Sequence, residues 1–264
     1  MTLLESSELG GDIAKKESTQ PAASASVKAG ATALPLIESA AQPDPLVGLS
    51  LNPGSRDLVL PSAAELRELG SKWVRYLVVQ QYQNLQTGQN SELDFVIERY
   101  KNLSVNISVL INTETVNELP PQHGSPEWIN ADTGYISRVS DLAQKLAAFY
   151  RGKIHAIVIF NEPEGQGITP EDYGHLLKAC YAKIKAASDV PVISGGICCG
   201  EKFDYLQRVV QTAQGAFDAV GWNVLGLGVG DYPFPNWKYG ELRDSLARAR
   251  WLASHCGSPN SARI

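Results

Sequence analysis

Residues 154–165 read IHAIVIFNEPEG, and the reading of this stretch decides the fold. Its first seven residues carry apolar side chains toward both faces, as a strand buried between two layers does and a half-solvated strand does not. Asn161 and Pro163 then stop the strand, because proline fixes φ and cannot donate to a ladder. Glu162 is thereby set at the end of a buried strand. Taken alone, the tripeptide is also an ordinary strand-ending turn. Its surroundings decide between the two readings.

Downstream, Thr169-Pro170 opens a helix with proline at the first helical position. Tyr173, Leu176, Leu177, Cys180 and Ile184 form its inner stripe. VPVIS (190–194) is a fifth strand, and Phe203, Leu206, Val210 and Ala213 mark the helix after it. FDAVGWNVLG (217–226) reads as a sixth strand, and residues 240–254 as a sixth helix through Leu242, Leu246, Ala249 and Leu252. Upstream, Ile136, Val139, Leu142, Leu146 and Phe149 share one face of a helix between Tyr135 and Tyr150. Before it lie SVNISVLIN (104–112), a helix opened by Ser91 with Leu93, Val96 and Tyr100 inward, and KWVRYLVV (72–79). Ser62 and Glu65 form a capping box for SAAELRELG (62–70), and LVGLSLN (46–52) is the first strand.

Six strand–helix units in strict alternation imply an α/β fold with a parallel sheet, doubly wound or closed as a barrel. No glycine-rich phosphate fingerprint follows the first strand, which counts against nucleotide binding. The expected fold is a TIM-type (β/α) barrel with about six of eight units present, in a domain spanning 45–264. Residues 1–44, rich in Ala, Ser, Thr, Gln and Pro, bury too little apolar surface to offset their ordering entropy and read as a mobile leader. An open barrel would expose apolar faces, so a partner, a self-association or the leader is expected to cover the gap.

Composition narrows the function. The 264 residues are 44% hydrophobic with a net charge of -5, so a large core is available and a nucleic-acid partner is not expected. No apolar run reaches membrane-spanning length, and the first residues lack the apolar core of a secretory signal, which leaves the compartment open. Cys180, Cys198, Cys199 and Cys256 are too scattered for a disulfide framework. His123, His155, His175 and His255 form no ligand pattern, so neither a metal nor a cofactor is expected.

Barrel enzymes gather their chemistry at the C-terminal ends of strands, where Asn161 and Glu162 fall. A carboxyl group at such a rim is partly desolvated, which favours the protonated form and donation to a leaving oxygen. An adjacent carboxamide can hold a sugar hydroxyl as an oxocarbenium-like transition state forms.

On these residues the chain resembles the retaining glycosidases of clan A, the barrel superfamily of many cellulases and xylosidases, whose fourth strand ends Asn-Glu-Pro. KWVRYLV resembles their second strand, whose arginine (here Arg75) supports the nucleophile side of the site. FDAVGW resembles the start of their sixth. The resemblance implies hydrolysis of O-glycosyl bonds in a β-linked oligosaccharide or polysaccharide, with Glu162 as acid/base and Asn161 on the 2-hydroxyl. The family's nucleophile is a glutamate ending the seventh strand. The chain reads HCGSPNSARI (255–264) where that strand would start, so no nucleophile is visible. A His-Pro-Tyr-like stretch after the sixth strand is replaced by Asn223, Val224 and Leu225, which makes Asn223 a candidate substrate contact.

Other carboxylates read as substitutes less well. Glu114, Glu164 and Asp231 fit solvated loop charges, and Asp218 begins its strand on the stability face. Aromatic side chains in rim loops, Trp128, Tyr232, Phe234 and Trp237, fit sugar platforms or loop packing equally, whereas Trp222 fits core packing. The alternative to an active glycosidase is a non-catalytic carbohydrate-binding or vestigial protein. An aldolase or metal-dependent barrel fits less well, because no strand-end lysine or His/Asp cluster is evident.

Overall fold

The computed structural model describes residues 48–51, 60–129, 134–197 and 203–223. The leader read over 1–44 and the helix read over 240–254 lie outside the described residues.

Five strands build the sheet: β1 (Gly48–Leu51), β2 (Trp73–Leu77), β3 (Asn106–Ile111), β4 (Ala156–Ile159) and β5 (Val192–Ser194). All neighbours are parallel and their spatial order is the chain order, β1-β2-β3-β4-β5. A doubly wound sheet reverses its order partway along; a barrel wall does not. A sixth segment continues the wall. Asp218 N–H and Ser194 N–H exchange parallel bonds across to Val192 O (2.7 Å) and Ala219 O (2.9 Å), and Asn223 N–H reaches Ile197 O (3.0 Å). The TIM-type reading holds for the described wall.

Helices α1 (Ala63–Glu68), α2 (Ser91–Tyr100), α5 (Tyr135–Phe149), α6 (Pro170–Ala187) and α7 (Phe203–Ala213) follow the strands, with one-turn helices α3 (Thr113–Val116) and α4 (Pro126–Ile129) between β3 and α5. Their limits follow local chemistry. Ser62 and Glu65 close the capping box at α1. Thr169 Oγ1 accepts from Asp172 N–H at α6, with Pro170 at the first position. At α2 the cap lies one residue earlier than the sequence reading put it. Asn90 Oδ1 accepts from Leu93 N–H at 2.9 Å, and Ser91 is the first helical residue.

The core lies between sheet and helices. Val74, Tyr76, Val109, Ile111, Ile157, Ile159 and Val192 point outward from successive strands and are buried against Val139, Leu146, Tyr173, Leu177, Cys180 and Val210. The alternate residues, Arg75, Ser108 and Ala156 on one level, Leu77, Leu110, Val158 and Ile193 on the next, share the opposite face of the sheet.

One buried hydroxyl ties two strand ends together. Tyr173 O–H donates to Ile159 O (2.6 Å) and accepts from Gly195 N–H (2.5 Å). Gly195 permits this closeness, since a Cβ there would lie 2.6 Å from Phe160 O. Tyr173→Phe should therefore lose about 2–4 kcal/mol, because two buried backbone groups lose their partner. Urea unfolding measures the loss, and an unchanged midpoint would mean that the hydroxyl does not tie β4 to β5.

Candidate active site

The chain turns sharply after β4. Phe160 (φ 65) and Glu162 (φ 49) are both left-handed, a conformation that costs a side-chain-bearing residue energy and persists only where neighbours enforce it. Here the neighbours are Ile111 O, which accepts Phe160 N–H at 2.7 Å, and Gly196 O, which accepts Glu162 N–H at 2.8 Å. Pro163 is buried behind them and begins a 3₁₀ turn, Pro163–Gln166. The strained turn lifts the Glu162 carboxyl onto the C-terminal rim, half-buried rather than solvated.

Carboxamides surround it. Asn223 Nδ2 donates to Glu162 Oε1 at 2.8 Å and lies 3.3 Å from Asn161 Oδ1. Asn112, at the end of β3, accepts at Oδ1 from Asn161 N–H (3.4 Å) and from Gln166 Nε2 (3.0 Å). Gln166 Nε2 also reaches Asn161 O at 2.7 Å. Asn112 Nδ2 then donates to Glu114 Oε2 (2.7 Å), which Thr113 Oγ1 also approaches at 3.1 Å. Strands three, four and six thus join in one polar network. Glu162 Oε2 and Asn161 Nδ2 have no hydrogen-bond partner among the described residues, so the rim keeps a carboxyl oxygen and an amide donor on adjacent residues.

The other expected residues divide. Arg75 shares a register level with Ser108 and Ala156, the first residue of β4, and its Nε donates to Ser50 Oγ at 3.1 Å. A strand's length separates that level from Glu162, so the two are not brought together. Trp128, read equally as a sugar platform and as loop packing, is 1% exposed. Its indole N–H donates to Pro121 O at 2.6 Å, and its ring meets Tyr135 edge-on at 5.2 Å, so it packs the loop instead. Tyr232 and Trp237 lie outside the described residues.

Glu164 is partly buried rather than outward. After burial itself, its charge is among the causes that hold the Tyr173 and Tyr205 hydroxyls protonated. Glu114 is exposed and bound to Asn112. Asp218 accepts from Val192 N–H (2.7 Å) and pairs with Lys185 (2.8 Å) at the far end of the sheet, a structural position. Trp222 stacks on Phe203 with ring centroids 5.0 Å apart, as core packing requires. No cluster of three metal-ligating side chains occurs among the described residues.

A cavity of about 530 Å³ lies at the opposite, N-terminal end of the wall, between Arg151, His155, Lys185 and Pro191. Its cations are already engaged. Arg151 binds Ala187 O, and Lys185 binds Val190 O and Asp218.

Asn112, Gln166 and Gly196 escaped the sequence reading. One signal was available for Asn112: the third strand ends VLIN as the fourth ends VIFN, so both strands deliver an asparagine to the same rim.

No family model and no curated protein sequence matches the chain. Among solved structures, it is similar to a GH30 endoxylanase from Clostridium papyrosolvens C71, at 14% identity and a TM-score of 0.52, over 76% of this chain and 53% of that one. The likeness is one of fold. The chain spans about half the endoxylanase's length. A second structure, XacCel5A, aligns at 13% identity with a TM-score of 0.49, over 78% of this chain and 74% of that one. The resemblance read from Asn161-Glu162-Pro163 therefore holds at the level of the barrel wall.

Proposed function

We propose that this chain carries the acid/base half of a glycoside hydrolase site, acting on O-glycosyl bonds of a β-linked glycan. Glu162 is the acid/base, and Asn161 is the contact to the hydroxyl beside the scissile bond. One observation carries the reading: on the C-terminal rim Asn223 Nδ2 holds both Glu162 Oε1 and Asn161 Oδ1, which leaves Glu162 Oε2 and Asn161 Nδ2 without a partner among the described residues. A donor beside a carboxyl oxygen fits a sugar hydroxyl beside a glycosidic oxygen. The GH30 endoxylanase supports the substrate class by analogy of fold alone. The resemblance to clan A implies retaining chemistry, which needs a second carboxylate roughly 5–5.5 Å from the first.

A second reading has its own observation. Four carboxamides, Asn112, Asn161, Gln166 and Asn223, are linked around one rim carboxyl, and the exposed Glu114 is bound into that network. Such a surface suits binding a glycan without cleaving it. A panel of aryl β-glycosides, run beside calorimetry with xylo- and cello-oligosaccharides, separates the two. Turnover supports the hydrolase, binding without turnover supports the lectin-like reading, and neither sinks both.

A further inference from the structure

The strand-six segment ends on a residue that the turn after β4 is built to receive. Gly196 does two things at that point. Its carbonyl accepts Glu162 N–H at 2.8 Å, and its missing side chain admits Asn223, because a Cβ on Gly196 would fall 2.1 Å from Asn223 Oδ1. Asn223 is itself fixed from below by its N–H bond to Ile197 O. Its amide then spans the two residues of the turn, Glu162 at 2.8 Å and Asn161 at 3.3 Å.

We infer that Asn223 is a positioning residue for Glu162 rather than a substrate contact: its amide holds Oε1 and leaves Oε2 for the substrate. This deepens the glycosidase reading and rests on it only for the consequence in turnover. A carboxamide suits the task, because its N–H donates to a carboxylate and its carbonyl, after a 180° flip, accepts from a protonated acid. Aspartate would set a second negative charge against the first, and an aliphatic side chain would serve neither state.

Two measurements on the full chain test the assignment. The first needs no activity. Hydrogen exchange at the Asn223 side-chain amide, followed by NMR, should be about tenfold faster in Glu162→Ala than in wild type, since the hydrogen bond that shields it is lost. Equal exchange rates would overturn the assignment. The second uses any aryl β-glycoside that wild type cleaves. Asn223→Ala should lower kcat at least tenfold with KM little changed, and Asn223→Gln should recover part of the loss. A raised KM with unchanged kcat would make Asn223 a substrate contact and overturn the proposal. Urea unfolding of each variant shows that the fold is intact. If wild type cleaves none of the glycosides, the glycosidase reading falls, and the exchange measurement alone decides the role of Asn223.

Discussion

Glu162→Gln should lower turnover of β-glycosides by about 10²–10⁴-fold, the range that a positioned general acid contributes. The substitution is conservative in every respect but one. Glutamine keeps an oxygen for Asn223 Nδ2 and places no new burden on the left-handed backbone that Glu162 already adopts. Only the capacity to give and take a proton is lost. Stability should therefore change by less than about 0.5 kcal/mol. The loss should also depend on the leaving group. A good aryl leaving group departs as an anion without protonation, whereas a poor one needs the proton. Comparing kcat/KM for one activated and one unactivated aryl glycoside reads this directly. Equal losses on both, or no loss, would remove Glu162 from the acid role.

The fold was legible because its signals are local and repeated. Six apolar runs alternate with stripes such as Val139, Leu142 and Leu146 or Tyr173, Leu177 and Ile184, and burial of those stripes against one sheet is what the structure has. Helix starts were legible where a side chain caps its own helix, as Ser62 and Thr169 do. At α2 the pattern offered two adjacent polar residues, and tertiary contact chose between them: Tyr150 accepts from Asn90 N–H at 2.7 Å and fixes Asn90 as the cap. Half of the site was legible for the same local reason, since Asn161-Glu162-Pro163 is contiguous. The other half is not contiguous. Asn223 was named from its place after the sixth strand, but its approach to Glu162, like that of Asn112 to Asn161 and Gln166, exists only because strand ends are brought together, and no spacing rule encodes it. The choice between platform and packing at Trp128 was hidden for a related reason. A loop position predicts exposure, but an indole that finds Pro121 O and the Tyr135 ring is buried with its N–H satisfied.

Gly88→Ala should destabilise the protein by about 3 kcal/mol or more. Gly88 has φ +82, and a Cβ there would lie 2.4 Å from the Lys145 carbonyl carbon and 2.6 Å from Leu146 N. Both are backbone atoms of α5, which cannot turn aside as a side-chain tip can. The left-handed backbone alone costs about 1–2 kcal/mol for a residue with a Cβ, and overpacking adds about 1–3 kcal/mol. The loop has little room to relieve the clash. Gly88 N–H is bound to Asn84 O (2.8 Å), and Asn84 Oδ1 accepts from Gln86 and Thr87 N–H. Lys145 Nζ holds Leu85 O at 2.9 Å, and Tyr150 holds the Asn90 backbone. Against a typical total of about 5–15 kcal/mol, such a loss lowers the urea midpoint sharply at unchanged m. A drop below about 1 kcal/mol would mean that the β2–α2 loop moves away from α5 at little cost. Because that loop leads out of the rim end of β2, a large loss would show that the rim is held in place by helix packing on the outside of the wall as well as by the carboxamides upon it.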